Sequence, residues 1–275
     1  MLLNFNGGMA VSARSILFTL FGDAFMQRPD SIPLACATAL LQTLDIGPEA
    51  ARAALSRTAR EGWFQSERKG RQSFYQLTAR GYERLMQARM RIYRQDDEPW
   101  DGGFTILGLT VPALAPSIRR RLIRELEFVG WAALASYQWA TPLIRHEETM
   151  DILRRFDLVR FAWIMNGALA TPDPASWAAN LYPIRFLDQR YRDFIREWTQ
   201  APLDLSESES FRNRIFLVHA WRKFLFIDPG LPHALVPEDF SRTKARALFH
   251  YLYDQWYDPA NAYIEHHLNE ALLLS

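Results

Sequence analysis

Arg60–Leu77 reads REGWFQSERKGRQSFYQL: two short aromatic-bearing arms around a tip of Arg68, Lys69, Gly70 and Arg71. Gly70 can supply the positive φ that a tight turn requires, and the arms Trp63–Glu67 and Gln72–Leu77 have the composition of short strands. Three mutually repelling cations do nothing for a turn. The tip therefore predicts an acceptor for positive charge outside the chain.

Immediately upstream, PEAARAALSRTAREG (48–62) predicts a helix. Pro48 at its first position gives up only an N–H that would go unpaired, and Gly62 suits the residue that stops it. Ala51, Ala54, Leu55 and Thr58 share one side. Arg52, Ser56 and Arg60 recur at i, i+4 and i+8, with Arg57 and Ala53 beside them. A solvated Arg-rich surface helix has such a face, and so does a helix slim enough for a DNA major groove, where Arg pairs bidentately with guanine O6/N7 or with phosphate. The surroundings favour the groove. A preceding helix, PLACATALLQTL (33–44), opened by Ser31 and Pro33, is joined through the tight turn Asp45-Ile46-Gly47, the spacing of a helix-turn-helix. Before it, SARSILFTLFGDAF puts Ile16, Leu17, Leu20, Phe21 and Ala24 on one helical face. After the hairpin, Thr78 caps a fourth helix with the stripe Tyr82, Leu85, Met86, Arg89 and Tyr93. Helix, helix, recognition helix, basic hairpin, helix is the order of a winged helix-turn-helix. It predicts DNA contacts from Arg52, Ser56, Arg57 and Arg60, and from the wing at Arg68, Lys69, Gly70 and Arg71.

Charge agrees with that division. The 275 residues carry a net +1, but residues 1–94 hold 13 Lys and Arg against 7 Asp and Glu, whereas residues 95–275 hold 19 against 24. A basic first third on a mildly acidic remainder suits a nucleic-acid-facing domain joined to something else. With 49 % apolar residues the chain can bury a sizeable core. The lone Cys36 excludes an intramolecular disulfide and a cysteine-cluster metal site. No signal peptide and no apolar run near the length of a membrane span is apparent, so a soluble cytoplasmic protein is expected.

Beyond the acidic, Pro-ended linker Asp96-Asp97-Glu98-Pro99, a strand-like run (104–111), a helix after Pro116, WAALASYQW (131–139), a helix (146–156) and a strand (159–165) give β-α-β-β-α-β, a ferredoxin-like pattern. Arg119, Arg120, Arg121 and Arg124 read as one solvated helix face balanced by Glu125 and Glu127. Residues 176–275 read as all-α and dense in aromatics, which at helical spacing are core. The expected fold class is α+β: a winged helix-turn-helix domain (1–95), a ferredoxin-like domain (100–170) and a helical domain (176–275). In the last, His219, Arg222 and Lys223 at i, i+3 and i+4 could clamp an anionic ligand or serve the helix C-terminus.

Catalytic signatures are missing: no G-x-S-x-G, P-loop, G-x-G-x-x-G or H-E-x-x-H occurs, and the six histidines are scattered. No catalytic residue, metal or cofactor is predicted. Two alternatives to a DNA-binding regulator remain, a metal-dependent nuclease using acidic groups near Asp101 and an interaction module whose wing meets an acidic protein.

The runs RAALSR (52–57), Glu61-Gly62-Trp63, RKGRQSFY (68–75), Ile92-Tyr93-Arg94 through Trp100-Asp101-Gly102, HAWRK (219–223) and DPGLP (228–232) resemble the PaaX-like regulators, the phenylacetate-degradation repressor family. The resemblance covers nearly the whole chain. Thr58 departs from it, standing where a larger apolar residue is expected under the recognition helix. The resemblance implies a homodimeric repressor of an aromatic-acid catabolic operon, binding double-stranded operator DNA and released by an aromatic acyl-coenzyme A, typically phenylacetyl-coenzyme A. It also implies dimerisation through the central unit.

Overall fold

The computed structural model describes residues 12–26, 31–97, 99–111, 113–168 and 173–273. In chain order the elements are α1 (Ala13–Leu20) running into a π-helical turn (Phe21–Phe25), β1 (Ile32–Pro33), α2 (Leu34–Thr43), α3 (Pro48–Arg60), β2 (Phe64–Lys69), β3 (Gln72–Leu77) and α4 (Ala79–Ile92). There follow β4 (Gly103–Leu109), α5 (Pro116–Phe128), β5 (Ala132–Ala135), β6 (Gln138–Thr141), α6 (His146–Arg155) and β7 (Ala162–Ala168). The last are α7 (Pro174–Leu181), α8 (Ile184–Trp198), α9 (Glu207–Trp221) and α10 (Arg242–Leu273). Among the described residues the architecture is mixed α and β, with two small antiparallel sheets. Glu98, within the expected linker, lies outside the described residues.

Contacts divide the chain into two compact units. One takes the chain up to Tyr93, Phe194–Arg222 and everything from Arg246 on; the other takes Arg94–Asp193 and Lys223–Ala245. The helical last third, expected as a domain of its own, is shared between them.

In the first unit, α1 and α2 bury Ile16, Leu17, Leu20, Ala37, Leu40 and Leu41, and α3 closes the layer with Ala51, Ala54 and Leu55. Small residues on α3 permit close helix approach. Thr58 is fully buried too, and it needs no apolar replacement: its hydroxyl donates back to Ala54 O (2.8 Å) or Leu55 O (3.0 Å), so no polar group is left unpaired. β2 and β3 pair antiparallel with Ser66 opposite Tyr75, and β1 adds to the other edge of β3 through Ile32 opposite Tyr75. Phe64 and Phe74 are the buried anchors of the hairpin, and Phe64 packs edge-on to Phe21 at 4.5 Å.

A buried polar network ties the π-helical turn to distant parts of the chain. Asp23 Oδ2 lies 2.9 Å from Arg214 Nε of α9, and its Oδ1 accepts from the hydroxyls of Tyr93 and Tyr253. The Arg214 guanidinium also donates to Asn261 Oδ1 at 2.8 Å and lies over the rings of Tyr253 and Tyr257, 4.8 Å from each centroid. Burial, then the neighbouring Asp23 charge, pushes the Tyr93 and Tyr253 hydroxyls well above the ordinary tyrosine value. Their folded pKa values exceed the unfolded one, so the native state holds its protons more tightly. The sign is fixed by that linkage: these groups cost nothing below about pH 10, and above it stability falls by up to about 1.4 kcal/mol per pH unit for each tyrosine. Urea unfolding followed from pH 8 to 11 should show a flat lower half and a falling upper half, shallower in Tyr93→Phe.

In the second unit the strand order is β5-β6-β4-β7, all antiparallel, with the connectivity β4-α5-β5-β6-α6-β7. Residues 131–139 form two strands because Tyr137, at φ +61°, turns the chain between them. β7 starts later than its sequence run, since Val159–Phe161 makes a 3-10 turn first. Leu122 and Leu126 of α5 and Ile152 and Leu153 of α6 pack with Leu107, Leu109 and Trp139 of the sheet and with Trp131 just ahead of β5. The face bearing Arg119, Arg120, Arg121 and Arg124 is solvent-exposed, and Glu125 pairs with Arg155 at 2.8 Å. Asp97 is an anchor rather than a linker residue: it accepts from the buried Arg242 at 2.8 Å, and Arg242 also lies 3.6 Å from Asp228, itself bonded by the Tyr191 hydroxyl.

Candidate nucleic-acid interface

α3 starts at Pro48 after Gly47 and ends with Gly62 at φ +78°, the left-handed stop its sequence predicts. The 3.6-residue period buries Ala51, Ala54, Leu55 and Thr58 and turns Arg52, Ser56, Arg57 and Arg60 outward, all four exposed. That outer face carries no bulky apolar side chain. Arg57 and Arg60 also fall in the last turn, where cations suit the helix dipole.

The hairpin follows at once. Gly70 has φ +58° and carries Arg68, Lys69 and Arg71 on an exposed tip. Arg68 Nε donates to Gly70 O at 3.3 Å, and Lys69 lies 3.3 Å from Glu67 and 5.3 Å from the Phe74 ring centroid. Such solvent-exposed pairs hold a side chain by about 0–1 kcal/mol, so these cations are available to a stronger anion. The base of the hairpin is tied to α4 through Thr78. Its hydroxyl donates to Gly62 O at 2.8 Å and accepts from Gly81 N at 3.0 Å, while its backbone N–H donates to Trp63 O at 3.0 Å. Arg80, not singled out by sequence, stacks over the Trp63 ring at this base, at 5.9 Å. A basic residue in the first turn of a helix carries no sequence mark that would have found it.

The model of the PaaX-like protein family matches residues 12–81, and that of the PaaX-like protein C-terminal domain matches residues 182–266. Together they span more than half of the chain. The chain belongs to the PaaX-like family. It is 28 % identical over 268 residues to the transcriptional repressor PaaX of Escherichia coli, covering 92 % of this chain and 83 % of that protein. Among solved structures it is similar to the uncharacterized protein Rv0674 from Mycobacterium tuberculosis, with a TM-score of 0.61, 18 % identity, and coverage of 92 % and 99 % of the two chains. The name of the Escherichia coli relative is that of a transcriptional repressor, and it speaks for a regulator rather than for the nuclease alternative.

The suggested anion clamp of this PaaX-like chain is arranged differently from its sequence spacing. α9 ends at Trp221, so Arg222 and Lys223 lie on a 3-10 turn (Arg222–Phe226) and not on the helix of His219. The buried His219 meets the Thr19 hydroxyl of α1 through Nδ1 at 3.0 Å. Arg222 donates to Ser15 O at 3.1 Å and to Ser15 Oγ, and burial pulls its pKa below the usual arginine value. Both therefore bind α1, and of the three only Lys223 is exposed.

Proposed function

We propose that this chain is a cytoplasmic, homodimeric transcriptional repressor of the PaaX-like family that binds double-stranded operator DNA. Its first 95 residues act as a winged helix-turn-helix, with α3 in a major groove and the Arg68–Arg71 tip on the flanking backbone. The observation that carries this reading is the exposed, slim, basic face Arg52-Ser56-Arg57-Arg60, joined without a break to a cationic hairpin tip. The connectivity and strand order of the central sheet support a ferredoxin-like reading of that unit, and dimerisation through it would set half-sites a multiple of roughly 34 Å apart. Release by an aromatic acyl-coenzyme A completes the reading. The second unit has a cleft of about 740 Å³ lined by Tyr182, Ile184, Phe186, Leu235 and Val236 together with Arg185, of a size for part of such a ligand.

The test is a gel shift with the DNA upstream of the chain's own gene. Specific retardation, relieved by phenylacetyl-coenzyme A, is expected; no retardation of any promoter fragment at low salt would remove the DNA reading. Labour within the interface is separable. Arg57→Ala should cut preference for operator over random duplex, each lost base contact being worth about 1–3 kcal/mol. Lys69→Ala should weaken all duplexes alike and flatten the salt slope by about one. An equal loss of specificity from both would show that α3 and the tip do not divide affinity and specificity in this way.

A further inference from the structure

The α2–α3 turn is held from far along the chain. Arg212, on α9, donates from Nη1 to the Thr43 carbonyl at 2.7 Å and from Nη2 to Asp45 Oδ2 at 2.5 Å. Thr43 ends α2, and Asp45, at φ +63°, bends the chain toward α3. The Thr43 hydroxyl also meets the Tyr263 hydroxyl of α10 at 2.9 Å. On the other side of α3, Gln72 Nε2 of β3 donates to Ala271 O, again of α10, at 3.3 Å. The turn ahead of α3 and the hairpin behind it thus each have a bond to the C-terminal helices.

The turn does not need these bonds to close. Leu44 N donates to Leu41 O, Asp45 N to Gln42 O and Ile46 N to Leu41 O, all at 3.0 Å. Asp45 is also 65 % exposed, so its ion pair with Arg212 contributes little to overall stability. What the pair adds is geometry. A planar guanidinium that grips a carbonyl and the next-but-one carboxylate fixes both rotation and distance of the turn relative to α9, which a single-point contact cannot do.

We propose that Arg212 and Tyr263 are positioning residues for duplex recognition, setting the angle at which the α2–α3 turn presents α3. This rests on the DNA-binding reading above. Removing them should lower discrimination between operator and random duplex while leaving the fold in place.

The experiment measures binding of the full chain to its own upstream fragment and to random duplex, across a salt series, alongside melting temperature. Arg212→Met should lower the operator-to-random ratio about tenfold, the size expected when one base contact is misplaced by a shifted α3. Its salt slope should stay that of the parent. Arg212→Lys, which keeps the charge but cannot span both acceptors, should recover only part of the ratio. Asp45→Asn decides the sign. Asparagine tolerates the left-handed backbone, and removing a carboxylate near DNA would by charge alone tighten binding; the positioning role requires the operator-to-random ratio to fall. Combined with Arg212→Met it should add almost nothing, because the two act through one contact. Tyr263→Phe removes only a hydroxyl, keeps the protein folded, and should lower the ratio severalfold.

A salt slope flattened by about 0.9 in Arg212→Met would make Arg212 a direct phosphate contact and overturn the proposal. An operator-to-random ratio that does not fall in Asp45→Asn, or one unchanged in Arg212→Met and Tyr263→Phe, would overturn it as well. Failure of the DNA-binding reading looks different: the parent chain itself would then not distinguish its upstream fragment from random duplex.

Discussion

Arg214→Met should lower the unfolding free energy by about 3–5 kcal/mol, the size expected when one partner of a buried ion pair is removed and the other is left behind. In a chain of 275 residues that is a fall in melting temperature of about 10 °C. The reason lies at Asp23, which is 4 % exposed. Without the guanidinium its carboxylate keeps two tyrosine hydroxyls and loses its only cation among the described contacts. Desolvation then has to be met by hydrogen bonds alone.

The same substitution also strips Tyr253 and Tyr257 of the cation lying over both rings. The double variant Asp23→Asn/Arg214→Met should be more stable than Arg214→Met by itself, since asparagine can still accept from the tyrosines and no buried charge remains. Chemical unfolding of the three proteins checks this. A loss below about 1 kcal/mol in Arg214→Met would mean that water or a rearranged neighbour already compensates Asp23.

Local periodicity carried much of this molecule. The spacing of Ala51, Ala54, Leu55 and Thr58 separates the buried from the exposed side of α3, and Gly62 and Gly70 mark its end and the hairpin turn; each of these is a short-range property. The basic face was legible for the same reason. Features that depend on distant partners were not. β1 is two residues long and contains Pro33, and it is a strand only because β3 pairs with it. α10 runs through Pro259, with Trp256, Ala260 and Ile264 fully buried on either side; packing there outweighs the roughly 3 kcal/mol intrinsic penalty of a proline inside a helix. His219 and Arg222 have the spacing of a ligand clamp, but their partners Thr19 and Ser15 lie about two hundred residues away, a separation that no window of sequence contains. Arg212 is the same case in reverse. Nothing in its local sequence marks it, and only the fold brings it to Thr43 and Asp45.

Gly81→Ala should destabilise the protein and weaken duplex binding together, against the helix propensity that favours alanine by about 1 kcal/mol. A Cβ at Gly81 would stand 2.3 Å from the Trp63 carbonyl oxygen, 3.2 Å from its carbon and 3.3 Å from Thr78 Oγ1. The nearest obstacle is backbone and cannot swing aside. That carbonyl also accepts from Thr78 N at 3.0 Å, so moving it loosens the clasp between the base of the hairpin and the start of α4. Overpacking of this kind costs about 1–3 kcal/mol, and the displacement falls on the strand that carries the Arg68–Arg71 tip. Gly22→Ala is the matched control. Its Cβ would meet only Leu85 Cδ2, at an ordinary 3.8 Å, so propensity should prevail and leave the protein as stable as the parent or slightly more so. Opposite signs for two Gly→Ala changes on helical backbone, read by urea unfolding and by low-salt binding to random duplex, would show that the hairpin's seat on α4 depends on the missing side chain at position 81. Equal signs would show that the Trp63 carbonyl can yield without disturbing the hairpin.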